Sequence, residues 1–133
     1  MSTSTANPPS VDIKDVIDNA TSLIFGTNLF ISTMPSSPDN CICLYDTGGF
    51  PQERHDYEKP TIQIRIRNKS YLNGYNQARD LKYLLSTGDY NNSTINGTRY
   101  ILIKNTSDVL YLGKDDNNRF QFTINFQIHR SGN

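Results

Sequence analysis

Between Arg119 and Arg130 apolar and polar side chains alternate without a break. Phe120, Phe122, Ile124, Phe126 and Ile128 share one parity; Gln121, Thr123, Asn125, Gln127 and His129 share the other. Successive side chains of a strand point to opposite faces, so this period of two describes a long antiparallel β-strand with one buried face. Such a strand needs partners along its edges and a cover over its apolar face, and the rest of the chain must supply both.

Further strands are legible by the same rule. Thr61 to Arg67 sets Ile62, Ile64 and Ile66 on one face and Gln63, Arg65 and Arg67 on the other, a strand with one wet face. Leu29 to Met34 and Cys41 to Thr47 read as a strand pair separated by the turn-forming PSSPDN. After an Asn-rich loop, TRYILIKN and VLYLG read as two more strands, and GKDDNN has the composition of a hairpin turn into the final strand. Two segments switch to helical spacing. Ser10 stands as an N-cap ahead of Asp12 and Asp15, with Val11, Ile13, Val16, Ile17, Ala20, Leu23 and Ile24 recurring before Gly26, a helix of about four turns. Tyr71, Tyr75, Ala78, Leu81 and Leu85 follow Ser70 at the same spacing, with Gly88 as a C-terminal stop, giving a helix over about Ser70 to Ser86. The order of elements predicts an α+β fold, a single mostly antiparallel sheet with two helices packed on one face.

The chain of 133 residues is the size of one domain. Its opening MSTSTANPPS is small, polar and broken by Pro8 and Pro9, so residues 1–10 read as a flexible arm, 11–130 as the domain and 131–133 as a tail. Thirteen basic and thirteen acidic residues cancel, which removes the electrostatic excess that sequence-independent DNA binding or an anionic membrane surface would use. No apolar run approaches the roughly 20 residues of a membrane-spanning helix, and Met1 to Ser10 has no signal-peptide pattern. A protein made in the cytoplasm, with no membrane partner, is expected. The two cysteines, Cys41 and Cys43, share a strand face without a second pair to complete a zinc site, and read as small half-buried apolar side chains. Asn-x-Ser/Thr triplets such as Asn96-Gly97-Thr98 carry no weight without a secretory route.

Catalytic patterns are few. Asp46-Thr47-Gly48 after CICLY is similar to the strand-end triplet of aspartic proteases, whose dimers oppose two carboxylates that share a proton, and Tyr111 to Asp115 is a second echo. Two amphipathic helices, Gly49 in place of the usual Ala or Ser, and the lack of a Gly-rich apolar flap all oppose it. Asp46 instead starts a turn in which Gly48 and Gly49 permit positive φ. His55, Asp56 and Glu58 lack the fixed geometry of metal ligands, His129 has no nucleophile beside it, and no phosphate-binding loop is present. No catalytic residue, cofactor or metal is expected. Gly48 to Pro60 is a solvated loop too long for a tight hairpin, the kind of segment that carries function in small domains.

Four segments, PDNCICLYDTGGFP, KPTIQIRIRNKSYLNGYNQARDLKYLL, INGTRYILIKN and YLGKDDNNRFQFTINFQIHR, together resemble the minor capsid or tail-terminator proteins of long-tailed phages of Gram-positive bacteria, over Pro38 to Arg130. The shared order is an acidic-Thr-Gly-Gly-x-Pro loop, a strand of alternating Ile and Arg, a Tyr-rich helix, Ile-Asn-Gly-x-Arg-Tyr, and Leu-Gly-basic-Asp before a Phe-rich strand. The resemblance implies a small α+β subunit of a six-fold ring at the head-tail junction of the virion. That ring sits on the last tail-tube ring, stops tube growth and joins the head connector. The implied partners are further copies of the chain, the tail tube protein and a connector or stopper protein, with DNA passing through the lumen without specific binding. A head-completion subunit of the connector is the alternative, and a dimeric aspartic protease using Asp46 a more distant one.

A terminator needs one face complementary to the tube and another to which no further tube ring can add. The candidates are Asp46, Gly48, Gly49, Pro51, Arg54, Asp56 and Glu58 in the long loop, Lys114, Asp115 and Arg119 in the last turn, and Arg65 and Arg67 on the polar sheet face. Arg65 and Arg67 are expected to point away from the Ile62, Ile64 and Ile66 face, and either to meet an acidic or carbonyl-rich patch of the next subunit, such as Asp56 and Glu58, or to line the channel.

Overall fold

The computed structural model of the chain describes residues 6–51, 57–86 and 92–131. Its elements are α1 (Pro9–Ala20), β1 (Leu29–Ile31), β2 (Cys41–Gly49), β3 (Pro60–Asn68), α2 (Tyr71–Ser86), β4 (Ser93–Ile95), β5 (Thr98–Asn105), β6 (Leu110–Lys114) and β7 (Phe120–Ser131). The fold is α+β, with one curled sheet in the order β1-β2-β3-β7-β5-β4 and β6 also paired with β7. The alternating C-terminal segment is the central strand. β3 runs along one edge of it from Asn68↔Phe120 to Thr61↔Gln127. β6 and β5 share the other edge, β6 against Phe120 to Thr123 and β5 against Phe126 to Ser131.

Register turns the separate alternations into one apolar surface. Ile42, Ile66 and Phe122 form one row across three strands, and Leu44, Ile64 and Ile124 form the next. All are fully buried, and each such side chain contributes about 1.5–3 kcal/mol relative to exposure. Ile13, Val16 and Ile17 of α1 and Ala78, Leu81 and Leu85 of α2 join these rows in a single core cluster. Helix α2 comes close because residue 74 has no side chain: a Cβ there would lie 2.8 Å from Phe122 Cε2 and 3.0 Å from Asn68 Cβ.

The sheet is mixed, which corrects the expected strand pair. Only Leu29–Ile31 of the first segment is a strand, and it pairs with Ile42 to Leu44 in parallel. The cause is the connection. PSSPDN does not make a tight turn; the chain leaves β1 at Ser32 in the left-handed region (φ 70) and residues 32–40 carry it back to run in the same direction. The Ser32 N–H donates to the Leu44 carbonyl at 2.8 Å.

Helix α1 also departs from expectation at both ends. Pro9 occupies the first turn, where its missing N–H is no loss, and Ser10, expected as the N-cap, is buried inside the helix. The helix stops at Ala20 because Thr21 turns extended and its hydroxyl donates to the Ile17 carbonyl at 2.7 Å. Leu23 still reaches the core, whereas Ile24 is 57% exposed. Helix α2 follows its sequence pattern at Ala78, Leu81 and Leu85, while Tyr71 at its start is exposed and Tyr75 half-buried; Ser70 Oγ accepts from the Asn73 N–H at 3.3 Å as a cap, and the expected stop at Gly88 lies outside the described residues. The strand β4 sits in what reads as an Asn-rich loop. Asn96 and Gly97, both at positive φ (51° and 82°), turn it into β5 as a hairpin. Among the described residues no helix is long and apolar enough to cross a membrane.

Candidate subunit interface

The Asp46 carboxylate does not serve its own turn. It accepts from the Ser10 backbone N–H at 3.0 Å and from the Ser10 hydroxyl at 2.6 Å, so β2 supplies the acceptor that α1 lacks at its N-terminus. Beside it lies a buried polar network. Asp12, with no exposed surface, accepts from the Tyr100 hydroxyl and from Asn96 Nδ2 at 2.8 Å, and Arg130 stands 3.8 Å away. Arg130 also reaches the Asn7 carbonyl at 2.7 Å and Glu58 Oε1 at 2.8 Å. The inner end of the N-terminal arm, Asn7 to Ser10, is thus tied to β2 and β7, while Met1 to Thr5 lie outside the described residues. Burial pushes the Tyr100 phenol up, and its hydrogen bond to Asp12 adds to the shift.

Glu58 closes the base of the long loop. Besides its ion pair with Arg130, the two residues exchange backbone hydrogen bonds at 2.8 and 3.0 Å, so Glu58 is engaged within the subunit. Gly49 (φ 137) approaches the returning chain so closely that a Cβ would lie 2.4 Å from the Lys59 carbonyl oxygen. Gly48 (φ 88) and Pro51 are exposed; Arg54 and Asp56, together with His55, lie outside the described residues.

Arg65 and Arg67 were expected to behave alike, and they do not. Arg67 is buried, 4% exposed. Its Nη2 donates to the Pro35 and Pro38 carbonyls at 2.6 and 2.7 Å, and its Nε to that of Asp39 at 3.3 Å. The guanidinium satisfies the carbonyls of a segment that has no strand partner, so it is a structural anchor rather than a free contact. Arg65 is half-buried, 5.5 Å over the Tyr45 ring, and makes one long contact of 3.4 Å to Gln63. Among the described residues its Nε has no hydrogen-bond partner, and neither has the Thr123 hydroxyl opposite it in register. Cys41 and Cys43 are fully rather than half-buried, and burial pushes both thiols up, away from the reactive thiolate. Burial also raises the Tyr45 phenol to about 12. On the same face Tyr57 Oη meets His129 Nδ1 at 2.6 Å, and burial, followed by the charges of Lys59 and Lys104, holds His129 below its ordinary value.

In the last turn Asp115 and Arg119 are used internally. Arg119 is buried and donates from Nε to Asp115 Oδ2 at 2.8 Å and from Nη1 to the Ser36 carbonyl. Lys114 is exposed, 5.1 Å over the Phe120 ring. Alternation says nothing of the surface beside it: β6 exposes Leu110, Tyr111 and Leu112 in succession, and Tyr71 and Leu72 of α2 are exposed too. Tyr71 and Tyr111 meet edge-on at 5.3 Å. The sequence signal was present, since VLYLG is an unbroken apolar run where a half-solvated strand should alternate.

Nothing among the curated proteins matches the chain. The sequence model of the bacteriophage tail terminator protein matches it over residues 16–131. That span takes in the second half of α1, every strand and the loops held by Arg67, Arg119 and Arg130, and by it the chain belongs to the bacteriophage tail terminator family, a structural family of the phage tail.

Proposed function

We propose that six copies of the chain close into a ring at the head-tail junction, cap the tail tube, end its growth and join the tail to the head connector. The match to the tail terminator family over residues 16–131 carries this reading. The arrangement of the loops supports it: Asp46, Gly49, Glu58, Arg67, Asp115 and Arg119 set loop shape from within the subunit, which leaves Gly48, Pro51, Arg65 and Lys114 to touch a neighbour. Arg54 and Asp56 belong to the same proposed contact. Neighbours are further copies, the tail tube protein and the connector or stopper protein. Balanced charge, thirteen of each sign, suits a lumen through which DNA slides without being held.

The proposal includes a non-enzymatic role. Asp46, the carboxylate of the protease-like triplet, accepts from two Ser10 donors, which gives it a structural task within its own subunit. Electron microscopy of particles with mass measurement of the isolated complex tests the reading. Six copies at the head-proximal end of the tail, and tails of uncontrolled length when the gene is silenced, are expected. A twelve-fold assembly, or a location elsewhere in the particle, would sink it.

A further inference from the structure

Every boundary of a ring is heterologous, so each subunit must present two different patches that fit each other. The described surface carries two separate groups of exposed large apolar side chains that meet this need. One group is on α2 and β6: Tyr71, Leu72, Tyr111 and Leu112 are all more than two-fifths exposed, and among the described residues β6 has a strand partner on one side only. The other lies beside the edge strand β1, where Ile24 and Phe25 are 57% and 49% exposed and Phe25 bridges to Leu29.

Their charged rims differ in sign. Around the first group Lys69 and Lys114 are exposed, and of the nearby acids Asp115 is neutralised by Arg119, leaving Asp116. Around the second, Lys14 stands 4.5 Å over the Phe25 ring but is paired with Asp15 at 2.6 Å. Asp18, one helical turn beyond Lys14, is exposed, which leaves the second rim acidic. An open apolar strand is a hazard for a free subunit and a seam for an assembled one.

We infer that the α2–β6 patch of one copy seats against the Ile24–Phe25 patch of the next, with Lys69 and Lys114 facing Asp18 across the boundary. The inference rests on the ring reading above and adds the surfaces through which the ring closes.

The test places cysteines at Leu72 and Ile24. Both side chains are more than half exposed, so folding is unaffected, and the native Cys41 and Cys43 are too buried to compete. Particles carrying Leu72→Cys with Ile24→Cys are treated with a short bis-maleimide and separated under denaturing conditions. The expected result is a ladder of multiples of the 15.1 kDa chain from the double variant, and monomer from each single variant. A double variant that stays monomeric, or a single variant that yields dimers, overturns the patch assignment. If the first pair gives no particles, Leu112→Cys with Phe25→Cys is read the same way. Copy number and position of the wild-type protein, measured on the same particles, decide the ring reading separately.

Discussion

A carboxylate on β2 supplies the acceptor at the N-terminus of a helix 36 residues away, and this fixes what the protease-like triplet can do. Asp46→Ala removes both Ser10 contacts and should cost about 1–2 kcal/mol, with Asp46→Asn milder because one acceptor survives. Urea midpoints report this, and adding Ser10→Ala to Asp46→Ala should cost little more than Asp46→Ala alone, since both contacts are already gone. The two arginines of β3 should separate as sharply. Arg67→Ala strands several loop carbonyls and should cost about 2–3 kcal/mol, while Arg65→Glu should stay within about 1 kcal/mol because the side chain holds no other segment in place. Equal losses in thermal melts would contradict this assignment. Alkali probes two further residues. Tyr45 and Tyr100 have folded phenol values above the ordinary 10, so the folded state holds their protons more tightly than the unfolded chain. The stability they contribute is full below pH 10 and is lost as pH rises from there towards and past 12. Melting temperature should therefore fall steeply above pH 10, and less steeply in Tyr45→Phe.

Helix α2 illustrates two opposed effects at one position. Replacing a mid-helix glycine by alanine ordinarily gains about 1 kcal/mol, but the new methyl at residue 74 would meet the buried Phe122 ring at 2.8 Å. Overpacking costs about 1–3 kcal/mol, so Gly74→Ala should destabilise, and a raised melting temperature would show that the ring can yield. The elements that were legible in the sequence share a cause. β3 and β7 bury one face along their length and α2 does so from Gly74 to Leu85, so periodicity alone marks them. β1 and β4 have three residues each, too few for a period to show, and their placement depends on backbone choices at Ser32 and Asn96-Gly97. Asn-Gly is a hairpin signal that could have been used; the parallel return after Ser32 depends on Arg67 and Arg119, remote in sequence. The site was less legible for the same reason. Charged residues look free in the sequence until the fold supplies their partners, as it does for Glu58, Arg67 and Arg119.

In the whole molecule, α1 is held from several sides: by Asp46 on β2, by Tyr100 on β5, and through Asn7 by Arg130 on β7. The arm, expected to contribute nothing to the domain, is anchored at its inner end. Removing the chain through Pro9 should lower stability by about 1–2 kcal/mol, and an unchanged melting temperature would mean that these contacts are dispensable. The position of β7 has a further consequence, which concerns synthesis. Among the described residues, the strand that joins β3 to both β5 and β6 follows all of its partners in the chain and so leaves the ribosome after them. Until it emerges, the Ile62, Ile64 and Ile66 stripe has only β2 beside it, and β5 and β6 lack the partner that holds them in the sheet. A nascent chain ending before Phe120 therefore cannot complete its sheet, and its uncovered strands are a target for holding chaperones. The rows that run from β2 through β3 are complete only once translation has delivered the alternating segment.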